Sequence, residues 1–322
     1  MEIVAPSSFV EGRPKNTKYA YLAAIKSFLT YVYKLEDVDD LDALALKYFK
    51  ECENHWEAYK DWALNALASR PPKTRSTYMI AVRLWLEENE IEFPKKYLRR
   101  LRGRLPKGSR ARTLDMAPTN QQLKQIIELC NVKGKALFSF LATSGVRLGE
   151  ALKLKIQDVD LTTDPPTVYV RAEYTKTGEP RVTFITPEAA EYLKLWLETR
   201  KNLKKKTKEP YQSYGLFPFT NNVAMVMWNR AVDKAGLGKR DPSTNRRIYH
   251  IHTLRKFFKS KLSTVLPEAV VAALMGHEGY LPTYRKFTVE ELRNYYLKAM
   301  HTLTISQPVN TKYRELEEKL AK

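Results

Sequence analysis

The chain has 322 residues, 43% hydrophobic and 28% charged, a length and balance suited to two folded domains with cores of their own rather than to a disordered chain. Its 55 Lys and Arg against 36 Asp and Glu give a formal charge of +19, which calls for a polyanionic partner, nucleic acid or an anionic membrane. Its two cysteines, Cys52 and Cys130, exclude a disulfide framework and a four-cysteine zinc site, and no apolar run of about 18 residues offers a membrane span.

The opening stretch MEIVAPSSFVEGRPKNTK lacks the charged-then-apolar order of a signal peptide, so the expected setting is the reducing cytoplasm. Residues 16–34 then carry Tyr19, Leu22, Ile25, Phe28, Leu29 and Val32 at three-to-four-residue spacing, which predicts a helix with one apolar face. Leu41–Ala68 predicts one or two further helices with Trp56, Tyr59 and Trp62 along one side, until Pro71 and Pro72 interrupt them. Residues 74–89 restart the pattern through Tyr78, Val82, Leu84 and Leu86, and Pro94 ends it. These elements make a helical domain over residues 1–94.

At Lys95 the composition changes. Nine of the 18 residues from Lys95 to Arg112 are basic and none is acidic. Gly103, Pro106 and Gly108 make the stretch read as a short helix end followed by an extended basic linker, residues 95–116. A charged turn is ordinarily just solvated. A run without one acid, set between two structured halves, is better matched to phosphates. Lys95, Lys96, Arg99, Arg100, Arg102, Arg104, Lys107, Arg110 and Arg112 are therefore the candidate nucleic-acid contacts.

A second domain starts near Ala117. Pro118-Thr119-Asn120 is a helix start for QQLKQIIELC, and residues 134–155 give another helical pattern around SGVRLGEALKLK. Over residues 167–186 the period changes: Val168, Val170, Val182, Phe184 and Ile185 flank the turn Thr177-Gly178-Glu179-Pro180, a β-hairpin. Helical patterns return from Pro187 to Thr199, followed by a basic loop, Lys201–Lys208. Residues 308–322 end the chain as an amphipathic helix with Tyr313, Leu316 and Leu320 on one side. The expected fold is mainly α with a small β-hairpin or sheet in the C-terminal domain, residues 117–322.

No metal motif emerges. His250 and His252 could ligate zinc, but no carboxylate or thiol lies at ligand spacing. Walker and dinucleotide fingerprints are absent from the sequence, so no cofactor is expected. Basic residues in over-specified places stand out instead. Arg147 follows Gly145 at a tight entry into a helix, with Glu150 three residues on; Lys176 sits at the hairpin tip; His252 and Arg255 lie one helical turn apart on one face; and in Met275-Gly276-His277 the glycine ends a helix and lets the histidine point outward. Singly, each has an ordinary explanation in a surface ion pair or a solvated turn. Their order and spacing together do not.

In this order SGVRLGEALKLKIQDVDL, YTKTGEPR, IHTLRKFF and LMGHEGYLPTY resemble the motifs of the tyrosine recombinase (phage integrase) family. The resemblance covers residues of about 117–300. The N-terminal helical unit looks like that family's core-binding domain, and YRKFTVEELRNYYLKAM looks most like integrases of archaeal mobile elements. The resemblance implies an enzyme that cuts and rejoins double-stranded DNA through a 3′-phosphotyrosine, without metal or ATP, and works as a homotetramer on two duplexes. It assigns Arg147 and Arg255 to the scissile phosphate, Lys176 to the leaving 5′-oxygen, and His252 and His277 to non-bridging oxygens or the nucleophile's proton. Glu150 becomes a buttress for Arg147. The family's usual tyrosine position, roughly nine residues after the second histidine, holds Lys286 here. Tyr284 is the expected nucleophile; Tyr280 stands too close to His277, and Tyr295 and Tyr296 read as core residues. An inactive DNA-binding derivative and a topoisomerase IB-like enzyme are the competing readings.

Overall fold

The computed structural model describes residues 3–106, 114–204, 215–242, 244–276 and 287–305. The chain divides into two compact units, Met1–Arg112 and Thr113–Lys322, and each has its own core.

The first unit is helical: α1 (Pro6–Phe9), α2 (Lys15–Tyr33), α3 (Leu41–Glu51), α4 (His55–Asp61) running into one π-helical turn at Trp62–Ala66, α5 (Pro72–Glu88) and α6 (Lys95–Arg104). The local chemistry is visible at the ends. Asp40 caps α3 and Asn54 caps α4 through side-chain oxygens, each cap worth about 1 kcal/mol, and Pro72 takes the first position of α5, where a missing N–H costs nothing. The core is aromatic. Phe28 meets Tyr48, Trp62 and Trp85 edge-on at ring-centroid distances of 5.2, 5.4 and 6.5 Å, geometry that adds about 0.5–1.5 kcal/mol per pair beyond burial. Tyr59 and Trp62 are buried there, whereas Trp56 is exposed, so the aromatic side inferred from sequence holds for two of its three members.

The largest departure from the sequence reading lies at Lys95. Residues 95–104 form a full helix, where the sequence suggested only a short helix end leading into an extended linker. Leu101 and Leu105 enter the first unit's core with Tyr97 and Leu98 packed against it, and Arg75 donates to the Pro106 carbonyl at 2.5 Å. Leu98, Leu101 and Leu105 recur every three to four residues, the period of one helix face, so burial overrides the helix-weakening Gly103. At the far side, residues 114–116 belong to the second unit: Leu114 N–H donates to Asp241 at 3.0 Å. Lys107, Arg110 and Arg112 lie outside the described residues.

The second unit contains α7 (Asn120–Glu128), α8 (Val132–Ser144), α9 (Leu148–Ala151), a three-stranded antiparallel sheet of β1 (Val159–Asp160), β2 (Thr167–Val170) and β3 (Arg181–Phe184), then α10 (Pro187–Lys204), α11 (Asn221–Lys234), α12 (His252–Leu262), α13 (Glu268–Met275) and α14 (Val289–Ala299). Thr119 and Gln122 form a capping box on α7 at the predicted start. β2 and β3 pair as the expected hairpin, Val170 opposite Arg181.

Helix α8 is the axis of this unit, buried from Ala136 to Ser144. Its buried hydroxyls are satisfied by the turn before them: Ser139 donates to Lys135 O at 2.6 Å, Thr143 to Ser139 O at 2.8 Å and Ser144 to Phe140 O at 2.6 Å. A helix leaves its last carbonyls without partners. Here Tyr296 of α14 donates to Thr143 O and Thr183 of β3 to Ser144 O, both at 2.9 Å, while Arg255 of α12 donates to Gly145 O. Three elements are thereby drawn to one helix end, and the site forms there. No described helix is long and apolar enough to cross a membrane.

Candidate active site

Two helices end at the site in left-handed glycines, Gly145 after α8 (φ 65°) and Gly276 after α13 (φ 63°). Both need glycine for space as well as for φ. A Cβ on Gly145 would stand 2.4 Å from the Phe258 ring, and one on Gly276 would stand 2.6 Å from the Arg181 side chain.

Arg255 lies between these ends. It is 4% exposed and donates to Gly145 O and, at 2.7 Å, to Met275 O. Burial, with the guanidiniums of Arg147 and Arg181 nearby, lowers its pKa to about 9, still high enough to keep it cationic at neutral pH. Two carbonyls fix its fork without neutralising it.

Arg147 is held differently. The turn after Gly145 makes it the N-cap of the short helix α9, where its backbone N–H donates to Glu150 at 3.0 Å and its guanidinium to the same carboxylate at 2.9 Å. Glu150 is buried. Burial alone would raise its pKa, but the ion pair with Arg181 and the hydrogen bonds from Arg147 outweigh that and hold the carboxyl below its ordinary range. Glu150 thus binds the backbone and side chain of Arg147, and a second cation, Arg181, shares it.

His252 opens α12 one turn before Arg255 and is exposed at the surface of the site. Partial burial first, then the neighbouring positive charges of Arg255, Lys256 and Arg147, lowers its pKa, which favours the neutral imidazole with one donor and one acceptor nitrogen. His250 stacks beside it, ring planes 3° apart and centroids 6.4 Å apart. His250 also meets Asp115 at 3.1 Å, and Asp115 pairs with Lys256 at 2.6 Å. The carboxylate absent from the local sequence around His250 is supplied from 135 residues away. Burial raises the Asp115 pKa, yet Lys256 and His250 together hold it below the usual carboxylate range. Among the described residues no three His, Cys, Asp or Glu side chains gather as a metal site.

Arg147, His250, His252 and Arg255 line one open cavity of about 210 Å³, which Asn221 and Asn229 of α11 also line. Lys176 does not line it; it sits on the exposed tip between β2 and β3. His277, Tyr280 and Tyr284 lie outside the described residues. Tyr296 is fully buried with its hydroxyl committed to Thr143 O, as the core reading required, and Tyr295 packs against Phe287. The sequence reading passed over three participants: Arg181, Asp115 and Lys256. Arg181 was within view as the last residue of YTKTGEPR; nothing local marks Asp115.

The first unit presents a separate cationic surface. Lys95, Lys96, Arg99, Arg100, Arg102 and Arg104 of α6 are all exposed, and none forms an ion pair with a described acidic residue.

A family profile described as "Phage integrase family" matches residues 118–288, more than half of the chain. The chain belongs to the phage integrase family. The matched region carries Arg147, Glu150, Arg181, His250, His252, Arg255 and Lys256 but neither Asp115 nor the α6 cations. Among curated relatives, the chain is 26% identical over 235 residues to tyrosine recombinase XerA of Saccharolobus solfataricus, covering 72% of this chain and 69% of that one. It is 26% identical over 254 residues to tyrosine recombinase XerC of Halalkalibacterium halodurans, covering 74% and 76%. In fold it resembles lambda integrase in a dimer bound to a COC′ core site, with a TM-score of 0.56 at 14% identity, over 86% of this chain and 93% of that one. It also resembles XerH recombinase in a post-cleavage complex with a palindromic difH substrate, with a TM-score of 0.54 at 18% identity, over 95% and 90%.

Proposed function

We propose that this integrase is a site-specific recombinase that breaks and rejoins double-stranded DNA through a 3′-phosphotyrosine, with Tyr284 as nucleophile and no metal or ATP. The observation that carries the reading is the fixed pair of guanidiniums, Arg147 and Arg255, on one cavity with His252. Planar, always charged forks suit non-bridging phosphate oxygens, and preorganised cations stabilise charge that grows in the transition state.

The step balances without a cofactor. The Tyr284 oxygen bonds to phosphorus as the P–O5′ bond breaks, the phenolic proton leaves through His252 or His277, and the 5′-oxygen takes a proton from the Lys176 ammonium. The phosphotyrosine bond conserves the energy of the phosphodiester, and attack by the 5′-hydroxyl of another strand reverses the step. A tyrosine with an ordinary pKa near 10 needs neighbouring cations to ionise, and this site supplies them. The α6 arginines and lysines, with Lys107, Arg110 and Arg112, would hold the duplex backbone. Relatives in fold include a lambda integrase tetramer bound to a Holliday junction, which supports a tetrameric working form here; the tail, residues 308–322, lies outside the described residues.

A duplex nicked beside the scissile phosphate tests the reading, because the short leaving strand diffuses away and traps the covalent complex. Wild type is expected to form a protein–DNA adduct and Tyr284→Phe none. A persisting adduct moves the nucleophile to Tyr280 or Tyr295. No adduct with wild type on its own target favours a DNA-binding derivative, and religation confined to one duplex favours the topoisomerase-like reading.

A further inference from the structure

The Lys176 tip presents a physical difficulty: a general acid must be placed within hydrogen-bond reach of its oxygen, yet Lys176 is exposed on a turn between strands of four residues each. What fixes it has to act at the roots of the hairpin. Both roots are gripped by buried carboxylates. On the β2 side, Asp158 is 1% exposed and accepts from Arg171 at 2.7 Å and from the Tyr174 hydroxyl at 3.1 Å. On the β3 side, Arg181 is the first strand residue, its side chain 6% exposed, and both of its terminal nitrogens reach Glu150, Nη1 at 3.4 Å.

The two grips are not equivalent. Among the described residues, Asp158 holds only the hairpin and its own turn. Glu150 holds Arg147 as well, so one carboxylate joins the hairpin that carries Lys176 to the helix that carries a phosphate-binding arginine. Arg181 makes a third contact. Its methylene stem fills the space a Cβ on Gly276 would occupy, and Gly276 is the residue from which the chain continues to His277.

We propose that Arg181 is a positioning residue that ties the Lys176 hairpin and the Gly276 end of α13 to Arg147 through the shared carboxylate of Glu150. The proposal rests on the phosphotyrosine reading for its effect on catalysis, though not for its effect on the hairpin. Arg181 touches no reacting atom. It sets where Lys176 stands relative to the phosphate that Arg147 and Arg255 hold. Misplacement of a catalytic group by about 1 Å costs on the order of 10²-fold in rate.

Two readouts on the full-length protein test it. The first needs no reaction: amide hydrogen exchange in Arg181→Met, which keeps the stem and removes the fork. Amides of residues 172–180 are expected to exchange about tenfold faster or more, while α8 and the first unit keep their protection. Unchanged exchange in the hairpin overturns the proposal, and so does uniform acceleration through residues 114–305, which marks a purely structural role. The second is cleavage of the nicked duplex in a double-mutant cycle with Lys176→Ala. Arg181→Met should slow cleavage by about 10²-fold in the wild-type background and by less than about threefold when Lys176 is already gone. Equal losses in both backgrounds overturn the coupling to Lys176. Arg181→Lys keeps the charge but not the fork; it should restore part of the rate, and it replaces Arg181→Met if that variant does not fold. A wild type that forms no adduct on its target removes the proposed reaction while the exchange result still decides the coupling.

Discussion

Arg147 and Arg255 face the same cavity and are built in opposite ways. Arg147 has a side chain 34% exposed and leans on a carboxylate; Arg255 is 4% exposed and leans on two backbone carbonyls. The carbonyls fix a guanidinium while leaving its charge uncompensated. The carboxylate fixes one while cancelling charge, and here that cancellation is halved because Glu150 serves both Arg147 and Arg181. The site thereby holds several cations at close range without surrendering its positive field: one is seated on dipoles and two share an acid. A doubly charged transition state would find both arginines already in place.

The comparison breaks most sharply at Arg255. Arg255→Lys keeps a charge but cannot span Gly145 O and Met275 O, so nicked-duplex cleavage is expected to fall by about 10²–10³-fold, with DNA affinity measured by titration near wild type. Arg147→Lys should lose less, because Glu150 keeps Arg181 as a partner. Equal losses would erase the distinction between the two seats.

Next in size is Gly145→Ala. Its φ of 65° and the Phe258 ring 2.4 Å from a new Cβ should cost about 1–3 kcal/mol, read as a thermal midpoint lower by roughly 2–12 °C for a unit of this size. The displaced carbonyl should also loosen Arg255 and slow cleavage.

Acid titration separates the groups by sign. His252 has a lowered pKa in the folded state, so its neutral form is favoured there and stability is lost as pH falls below about 6.5, the ordinary value. Glu150 and Asp115 also have lowered pKa values; their contribution is present above the ordinary carboxylate range near pH 4 and is lost as pH falls through their folded values. In urea melts against pH, Glu150→Gln should therefore flatten the low-pH limb and leave the limb near pH 6 unchanged.

The smallest effect on chemistry belongs to the exposed cations of α6. Neutralising Arg99, Arg100, Arg102 and Arg104 should flatten the log–log salt dependence of DNA binding by about 0.9 per lost phosphate contact while single-turnover cleavage at saturation holds. An unchanged slope would take α6 out of the interface.

Much of the local structure was legible in the sequence. Thr119 and Gln122 announce α7, the alternation around Thr177–Pro180 announces β2 and β3, and the turn at Gly145 announces the seat of Arg147. These are contacts among near neighbours, and spacing records them. What stayed hidden is carried by long separations: Arg181 on Glu150 across 31 residues, Arg255 on Gly145 across 110, Asp115 on His250 across 135. Strand β1, two residues long, is too short to show a period. Helix α6 was obscured by Gly103, because propensity argues against a helix that burial of Leu101 and Leu105 nonetheless forms.

The two seated arginines are expected to act on the transition state more than on bound DNA. The direct measurement is the pair of quantities, dissociation constant and single-turnover cleavage rate, for Arg147→Ala and Arg255→Ala on the same nicked duplex. Affinity should stay within about threefold of wild type, because many other Lys and Arg residues supply phosphate contacts, with cleavage lower by about 10²–10³-fold. Affinity and cleavage falling together by the same factor would contradict it and make both residues ordinary backbone contacts.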